Sequence, residues 1–134
     1  MSGAPDGDDR GDYVAVTRLL AAYGSLLDRG RHDDWLALFA EPSEFVIDGR
    51  RPRTTTEGRR DLAERAPRGL HLGNPPMVEF HADGTATSVQ TFLFWDPGEV
   101  GALAGWYDDD LVRVEGIWRF RRRAISFLRP GAGS

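Results

Sequence analysis

The sequence predicts an α+β fold in which helices from the first half of the chain pack on one face of a curved, mostly antiparallel sheet. Three observations predict it. The length of 134 residues fits a single domain. Apolar residues before residue 67 recur at helical spacing, whereas residues 70–127 contain four strand-like segments joined by short turns. Helices followed by consecutive hairpins are typical of this fold class.

The first half of the chain predicts three helices and two short strands. The predicted elements are helices over 12–28, 33–40 and 57–66, a strand over 45–48 and a polar edge strand over 51–56. Gly30 ends the first helix, and Pro67 closes the third. Asp33 and Asp34 favour the start of the second helix, because acidic groups are stabilised at the positive end of the helix dipole.

The second half predicts an antiparallel meander. Its predicted strands are Leu70–Phe80, Thr85–Trp95, Leu103–Val114 and Ile117–Phe127. Strict alternation along the last strand would place Arg119, Arg121 and Arg123 on the face opposite Trp118 and Phe120. We therefore interpret this basic run as a solvated strand face.

Composition narrows the possible functions. The chain has a net charge of −4, no Cys and 17 basic residues that are all Arg, so thiolate metal sites, cysteine nucleophiles and lysine Schiff bases are excluded. The charge argues against nucleic acid as a partner, and no stretch is apolar enough to span a membrane. We expect a cytoplasmic protein with a disordered lead-in over 1–11, a domain over 12–128 and a flexible tail over 129–134.

Asp28 and His71 form the candidate catalytic pair. Asp28 ends the first helix, where the helix dipole opposes its charge, so it calls for a compensating partner. His71 opens the first long strand. A carboxylate that accepts from one imidazole nitrogen would leave the other nitrogen free as a general base or acid. The alternative is that both residues are structural, an Asp at a helix end and a His in a strand.

Four further residues are candidates for substrate binding. Asn74 is suited to donate to a carbonyl or oxyanion, although it is also a turn former before Pro75. Gln90 shares a strand face with Phe92, and Tyr107 shares one with Asp109, so polar groups lie in an apolar lining. The alternative is cross-strand hydrogen bonding with an Asp109–Arg113 surface pair. The run Asp108–Asp110 does not predict a metal site, because neighbouring strand residues point to opposite faces.

Several motifs, taken in order, resemble one family. They are Tyr23-xxxx-Asp28, Asp34-Trp35-xx-Leu38-Phe39, His71-xx-Asn74-Pro75, Gly105-x-Tyr107-x-Asp109-x-Leu111-x-Arg113 and Gly116-x-Trp118-Arg119-Phe120. The chain resembles the SnoaL-like, scytalone-dehydratase-like branch of the nuclear transport factor 2 superfamily over about residues 12–127. The resemblance implies a cone-shaped NTF2-like barrel, usually a homodimer, with an open pocket for a small hydrophobic substrate and no metal or organic cofactor.

The resemblance also implies roles. In dehydratase-like members a helix-end Asp orients a His at a strand start, which matches Asp28 and His71, and Gln90 lies near the place of a second pocket-facing His. Tyr23 and Phe92 complete the expected substrate-binding set. Leu27 and Gly49 stand where the dehydratase has tyrosines, which favours either a binding role or a different substrate.

Two functions follow from the resemblance. The first is a cofactor-independent acid–base enzyme, a cyclase, dehydratase or isomerase acting on a small carbonyl compound. The second is a non-catalytic binding or accessory subunit, in which Trp95 and Trp106 would serve an interface.

Overall fold

The computed structural model describes residues 9–98 and 101–129. Its elements are α1 Asp9–Asp28, α2 His32–Leu36, β1 Phe39–Ile47, α3 Thr56–Arg65, β2 Leu70–Gly73, β3 Met77–Phe80, β4 Ala86–Asp96, β5 Gly101–Val114 and β6 Ile117–Phe127. The six strands form one curved, unclosed sheet in the order β1-β6-β5-β4-β2, with β3 also paired to β4. The predicted α+β fold, with three helices packed on a mostly antiparallel sheet, is therefore confirmed.

Helix α1 crosses the concave side of the sheet and ends in a defined cap. Its buried face carries an apolar stripe that includes Val16, Leu20 and Tyr23. At its end, the Arg31 N–H donates to the Leu26 carbonyl and the Gly30 N–H donates to that of Leu27. These two bonds are a Schellman motif, and Gly30 tolerates the positive φ of 71° that the motif needs.

The N-terminal boundary differs from the expectation. Residues 9–11, expected in the lead-in, belong to the first turn of α1. Asp9 and Asp12 stabilise this turn, because their negative charges lie at the positive end of the helix dipole. Residues 1–8 and 130–134 lie outside the described part of the chain. No helix among the described residues is long and apolar enough to cross a membrane.

Helix α2 is shorter and β1 longer than the sequence predicts. The Phe120 N–H donates to the Leu38 carbonyl at 2.9 Å, and β1 runs parallel to β6 from Phe39 onward. Pairing with β6 draws residues 39–40 into the sheet, because tertiary hydrogen bonds outweigh a weak local helix preference. The polar edge strand predicted over 51–56 is reduced to one bridge between Phe45 and Arg53.

The predicted strand Leu70–Phe80 is two strands. Both β2 and β3 pair antiparallel with β4, and residues 74–76 interrupt them. Pro75 and Pro76 have no N–H to donate to the ladder, so pairing stops there. The break leaves His71 directly opposite Phe94, on the concave face.

The basic run on β6 is not wholly a solvated face, because the strand contains a bulge. Asp110 pairs with Arg122 while Leu111 pairs with Phe120, so Arg121 is an extra residue on β6. The extra residue reverses the alternation, and Arg123 points inward with its side chain fully buried. Arg121 remains exposed, as predicted.

Candidate functional site

Asp28 and His71 form a two-point contact at the end of α1. The His71 backbone N–H donates to Asp28 Oδ2 at 2.8 Å, and His71 Nδ1 lies 2.5 Å from Asp28 Oδ1. The side chain of Asp28 is only 9% exposed and that of His71 only 17%. An ionised carboxylate can only accept hydrogen bonds, so this geometry suits a ring with its proton on Nδ1, a tautomer that leaves the lone pair of Nε2 free.

The His71 ring is held from two further sides. It packs on Phe94 with ring centroids 4.6 Å apart and meets Tyr23 edge-on at 6.1 Å. Gly24 lies directly against it, and a Cβ at that position would be 2.8 Å from His71 Cβ. Within the described residues, Nε2 makes no hydrogen bond. The ring is therefore fixed in place with one nitrogen available.

Two cavities meet at this ring. One has a volume of about 320 Å³ and is lined mainly by apolar side chains from α1, β1, α3 and the sheet. The other, of about 490 Å³, lies between α1 and the β2–β3 connection. Four side chains line both: Tyr23, His71, Phe92 and Tyr107. His71 thus contacts the space on either side of an aromatic partition.

The hydroxyls of Tyr23 and Tyr107 are available for a ligand. Neither hydroxyl makes a hydrogen bond within the described residues, and the rings meet at 5.4 Å. Burial, above all, raises the pKa of Tyr23 and of Tyr107 well above that of a free tyrosine, with the nearby Asp109 carboxylate adding to the effect. Both side chains are therefore neutral hydrogen-bond donors at physiological pH.

Gln90 and Asn74 lie at the second cavity. Gln90 Nε2 donates to the Asn74 carbonyl at 2.8 Å, which leaves Gln90 Oε1 without a protein donor within the described chain. Asn74 Oδ1 accepts from the Thr91 N–H at 3.0 Å and thereby continues the sheet across the gap between β2 and β3. The Asn74 carboxamide oxygen thus has a structural partner, and only its NH₂ group is left to face a ligand.

Asp109 does not line either cavity. Its carboxylate is bound by Arg123 through two bonds of 2.8 Å, and Ser88 Oγ donates to it at 3.2 Å. The alternative, a surface pair of Asp109 with Arg113, does not form, because Arg113 contacts Asp12 at 3.5 Å instead. Asp109 therefore lies behind the cavity wall, where a substrate does not reach it.

Arg123 is the residue that the sequence analysis missed. Its guanidinium lies 3.7 Å from the Tyr107 ring centroid and 4.3 Å from that of Tyr23, so it supports both tyrosines from behind. Burial alone would lower the pKa of Arg123, but the Asp109 carboxylate raises it above the ordinary value. A signal was present: Phe120 and Ile125 are both apolar but five positions apart, so they can share a face only across a bulge.

The described residues, 9–98 and 101–129, bring together no group of three His, Asp or Glu side chains that could hold a metal ion. The polar groups at the cavities include the imidazole, two phenols and two carboxamides, with Arg53 and Arg65 at the rim of the smaller cavity. The Asp28 carboxylate and the hydroxyls of Thr17 and Ser25 also line the larger one. This set can move a proton and bind a polarised oxygen.

Comparison with known proteins places the chain in a family. A model of the SnoaL-like domain matches residues 9–124. No curated protein matches the chain in sequence.

Solved structures share the fold. A single-residue variant of Rv3472, a Mycobacterium tuberculosis protein of unknown function, has a TM-score of 0.83 and 23% identity over 97% of this chain and 80% of its own. A Novosphingobium aromaticivorans protein provisionally assigned as a scytalone dehydratase has a TM-score of 0.74 and 23% identity, over 88% and 85%. The beta subunit of a provisionally assigned aromatic-ring-hydroxylating dioxygenase from the same organism has a TM-score of 0.73 and 19% identity, over 90% and 92%. On the family match over most of its length, this chain belongs to the SnoaL-like family.

Proposed function

We propose that the protein is a cofactor-independent enzyme that uses His71 as a general acid–base on a small, largely apolar carbonyl compound, as a cyclase, dehydratase or isomerase. The observation that carries the proposal is the Asp28–His71 contact of 2.5 Å at the junction of two cavities. A buried imidazole with one nitrogen anchored and the other free is the arrangement that proton transfer requires.

The residues at the junction of the two cavities have different roles in the proposed reaction. Asp28 holds the proton on Nδ1, so Nε2 takes a proton from a carbon next to the substrate carbonyl and returns it at another atom. The charge that develops on the carbonyl oxygen needs donors, and the neutral hydroxyls of Tyr23 and Tyr107 supply them from the shared wall. Phe94 packs on the His71 ring and Phe92 lines both cavities, and these apolar surroundings strengthen both effects.

Turnover by His71→Ala tests the proposal, with polyketide- and terpenoid-type ketones as candidate substrates. We expect kcat to fall by about 10²–10⁴-fold, since that is what a positioned acid–base group contributes. His81→Ala is the matched control, because His81 lies beside a hairpin and contacts Thr87 at 3.3 Å, away from both cavities. Wild-type turnover in His71→Ala, with an unchanged circular dichroism spectrum, would refute the assignment.

A second feature favours association with another chain. The convex face of the sheet exposes a continuous apolar patch formed by Leu70, Leu72, Leu93, Trp95 and Trp106. Patches of this kind mark interaction surfaces in soluble proteins. We propose that it forms a homodimer interface, which predicts twice the chain mass of 14.9 kDa by light scattering and a monomer for Trp95→Glu.

The same patch suits the alternative function, an accessory subunit that pairs with a different chain. Light scattering and turnover together separate the two functions. A stable monomer that is inactive on every ketone tested would favour the accessory role, whereas an active dimer would exclude it.

A further inference from the structure

The smaller cavity carries two cations at its rim. Arg53 is placed by its backbone, which exchanges both hydrogen bonds with Phe45, at 2.8 Å and 3.0 Å; the Phe45 ring lines the same cavity. Arg65 lies in the last turn of α3, just before the lining residues Ala66 and Pro67. Two separate elements therefore bring a guanidinium to one opening.

One carboxylate holds both arginines but does not neutralise them. Asp61 Oδ1 lies 3.0 Å from Arg65 Nε, and Asp61 Oδ2 lies 3.8 Å from Arg53 Nη1. Arg53 Nη1 also donates to the Gly58 carbonyl at 3.3 Å. With two cations and one anion the rim has a net positive charge, and the other guanidinium N–H groups have no protein acceptor within the described chain.

The rest of that cavity contains no other charged residue among those described. Apart from the two arginines, the polar side chains in its lining are His71 and the two tyrosines, and the remaining residues are apolar. An anionic group inside the cavity would lose hydration without a partner, whereas an anionic group at the rim would keep both water and two donors. The charge pattern thus fixes where along the cavity a negative group is accepted.

We propose that the substrate is a carboxylic acid: an apolar ring system whose carbonyl reaches His71 and whose carboxylate is held by Arg53 and Arg65 at the rim. This rests on the proposed function for the role of His71, but the binding claim stands on the rim alone. Planar guanidinium groups match the geometry of a carboxylate, and the single net charge balances one such group. A cavity of about 320 Å³ is at the small end of ligand sites, which suits a compact compound.

Binding of a matched ligand pair tests the proposal. 1-Naphthoic acid and 1-naphthamide have the same ring and nearly the same size but differ by one charge. We expect calorimetry at low salt to give an affinity about 5- to 10-fold higher for the acid, since two partly exposed charge contacts contribute modestly. The preference should decline at high salt, because the rim is open to screening.

Variants show whether a preference for the acid comes from the two rim arginines or from the overall charge of the protein. In Arg53→Gln/Arg65→Gln the acid and amide should bind with equal affinity, while the affinity for the amide stays the same. Arg60→Gln is the matched control, because Arg60 is also on α3 but pairs with Asp33 at 2.7 Å and does not line the cavity. Equal binding of acid and amide to the unaltered protein, no binding of the acid at millimolar concentration, or a preference that survives the double substitution would each overturn the proposal.

The acid–base role of His71 and the binding of a carboxylate at the rim can be refuted independently of each other. His71→Gln should retain the preference for the acid, because binding at the rim does not depend on proton transfer. Full turnover in that variant would refute the acid–base role and leave the rim intact. Loss of the acid preference in the rim variant, without loss of chemistry on a neutral ketone, would support the rim and leave the role of His71 untouched.

Discussion

Asp28 uses both of its carboxylate oxygens on a single residue, His71: one accepts from the backbone N–H at 2.8 Å and the other contacts Nδ1 at 2.5 Å. The first bond joins the end of α1 to the start of β2, and the second sets the orientation of the ring. A single side chain therefore links a helix terminus, a strand edge and the candidate catalytic group. Because an amide at residue 28 could keep one of these two bonds but would carry no charge, that substitution should affect turnover more than folding.

Asp28→Asn should lower kcat by about 10²-fold or more while the fold persists. The amide oxygen can still accept from one of the two His71 donors, but the negative charge that stabilises the imidazolium is lost. Asp34→Asn is a suitable control, since the Asp34 side chain is exposed and pairs with Arg31. Steady-state turnover within about twofold of the wild type would contradict an orienting role for Asp28.

Arg123→Met should destabilise the protein by about 3–5 kcal/mol, because it leaves the buried Asp109 carboxylate without its cation. Both side chains are 0% exposed. Its neighbour provides the comparison: Arg122 pairs with Glu44 at 3.6 Å on a half-exposed surface, so Arg122→Met should cost no more than about 1 kcal/mol. Urea unfolding measures both, and equal losses would show that the buried pair is no more important than the surface one.

Gly24→Ala should reduce both stability and turnover, because the added Cβ would lie 2.8 Å from His71 Cβ and displace the ring from Asp28. Gly11→Ala, in the same helix, meets nothing within 4 Å. It should raise the free energy of unfolding by roughly 0.5–1 kcal/mol through helix propensity alone. Thermal unfolding and turnover of the two variants distinguish the steric effect of the added Cβ on His71 from the effect of helix propensity. Full activity in Gly24→Ala would contradict the prediction, since it would mean that the helix and the His71 ring can accommodate the added Cβ.

Alkaline pH should destabilise the fold through Tyr23 and Tyr107. Burial raises both folded-state pKa values above that of an unfolded tyrosine, near 10. Their contribution to stability is thus fully present below pH of about 10 and is lost as the pH rises above it. Ultraviolet absorbance of tyrosinate should show these two rings ionising only with unfolding, and Tyr107→Phe should remove signal from that step alone. Ionisation of Tyr107 in the folded protein would contradict its burial.

The sequence predicted much of the architecture because the relevant signals are local. Helical spacing from Val16 to Leu27 and the turns at Gly84 and Gly116 act within a few residues, so α1 and the long hairpins lie where the pattern places them. Asp28 and His71 were also found, one as an opposed charge at a helix end and one as a histidine at a strand start. Their contact follows from where α1 ends and β2 begins.

Tertiary structure decided what depends on pairing between strands. The bulge at Arg121 exists only because β5 and β6 pair on both sides of it, and it turns Arg123 from an expected surface residue into a buried support for two tyrosines. Arg123 in turn holds the Asp109 carboxylate within the wall. Alternation is a property of one strand, whereas the register of two strands is set by the core they enclose, so a single inserted residue redirects every side chain that follows it.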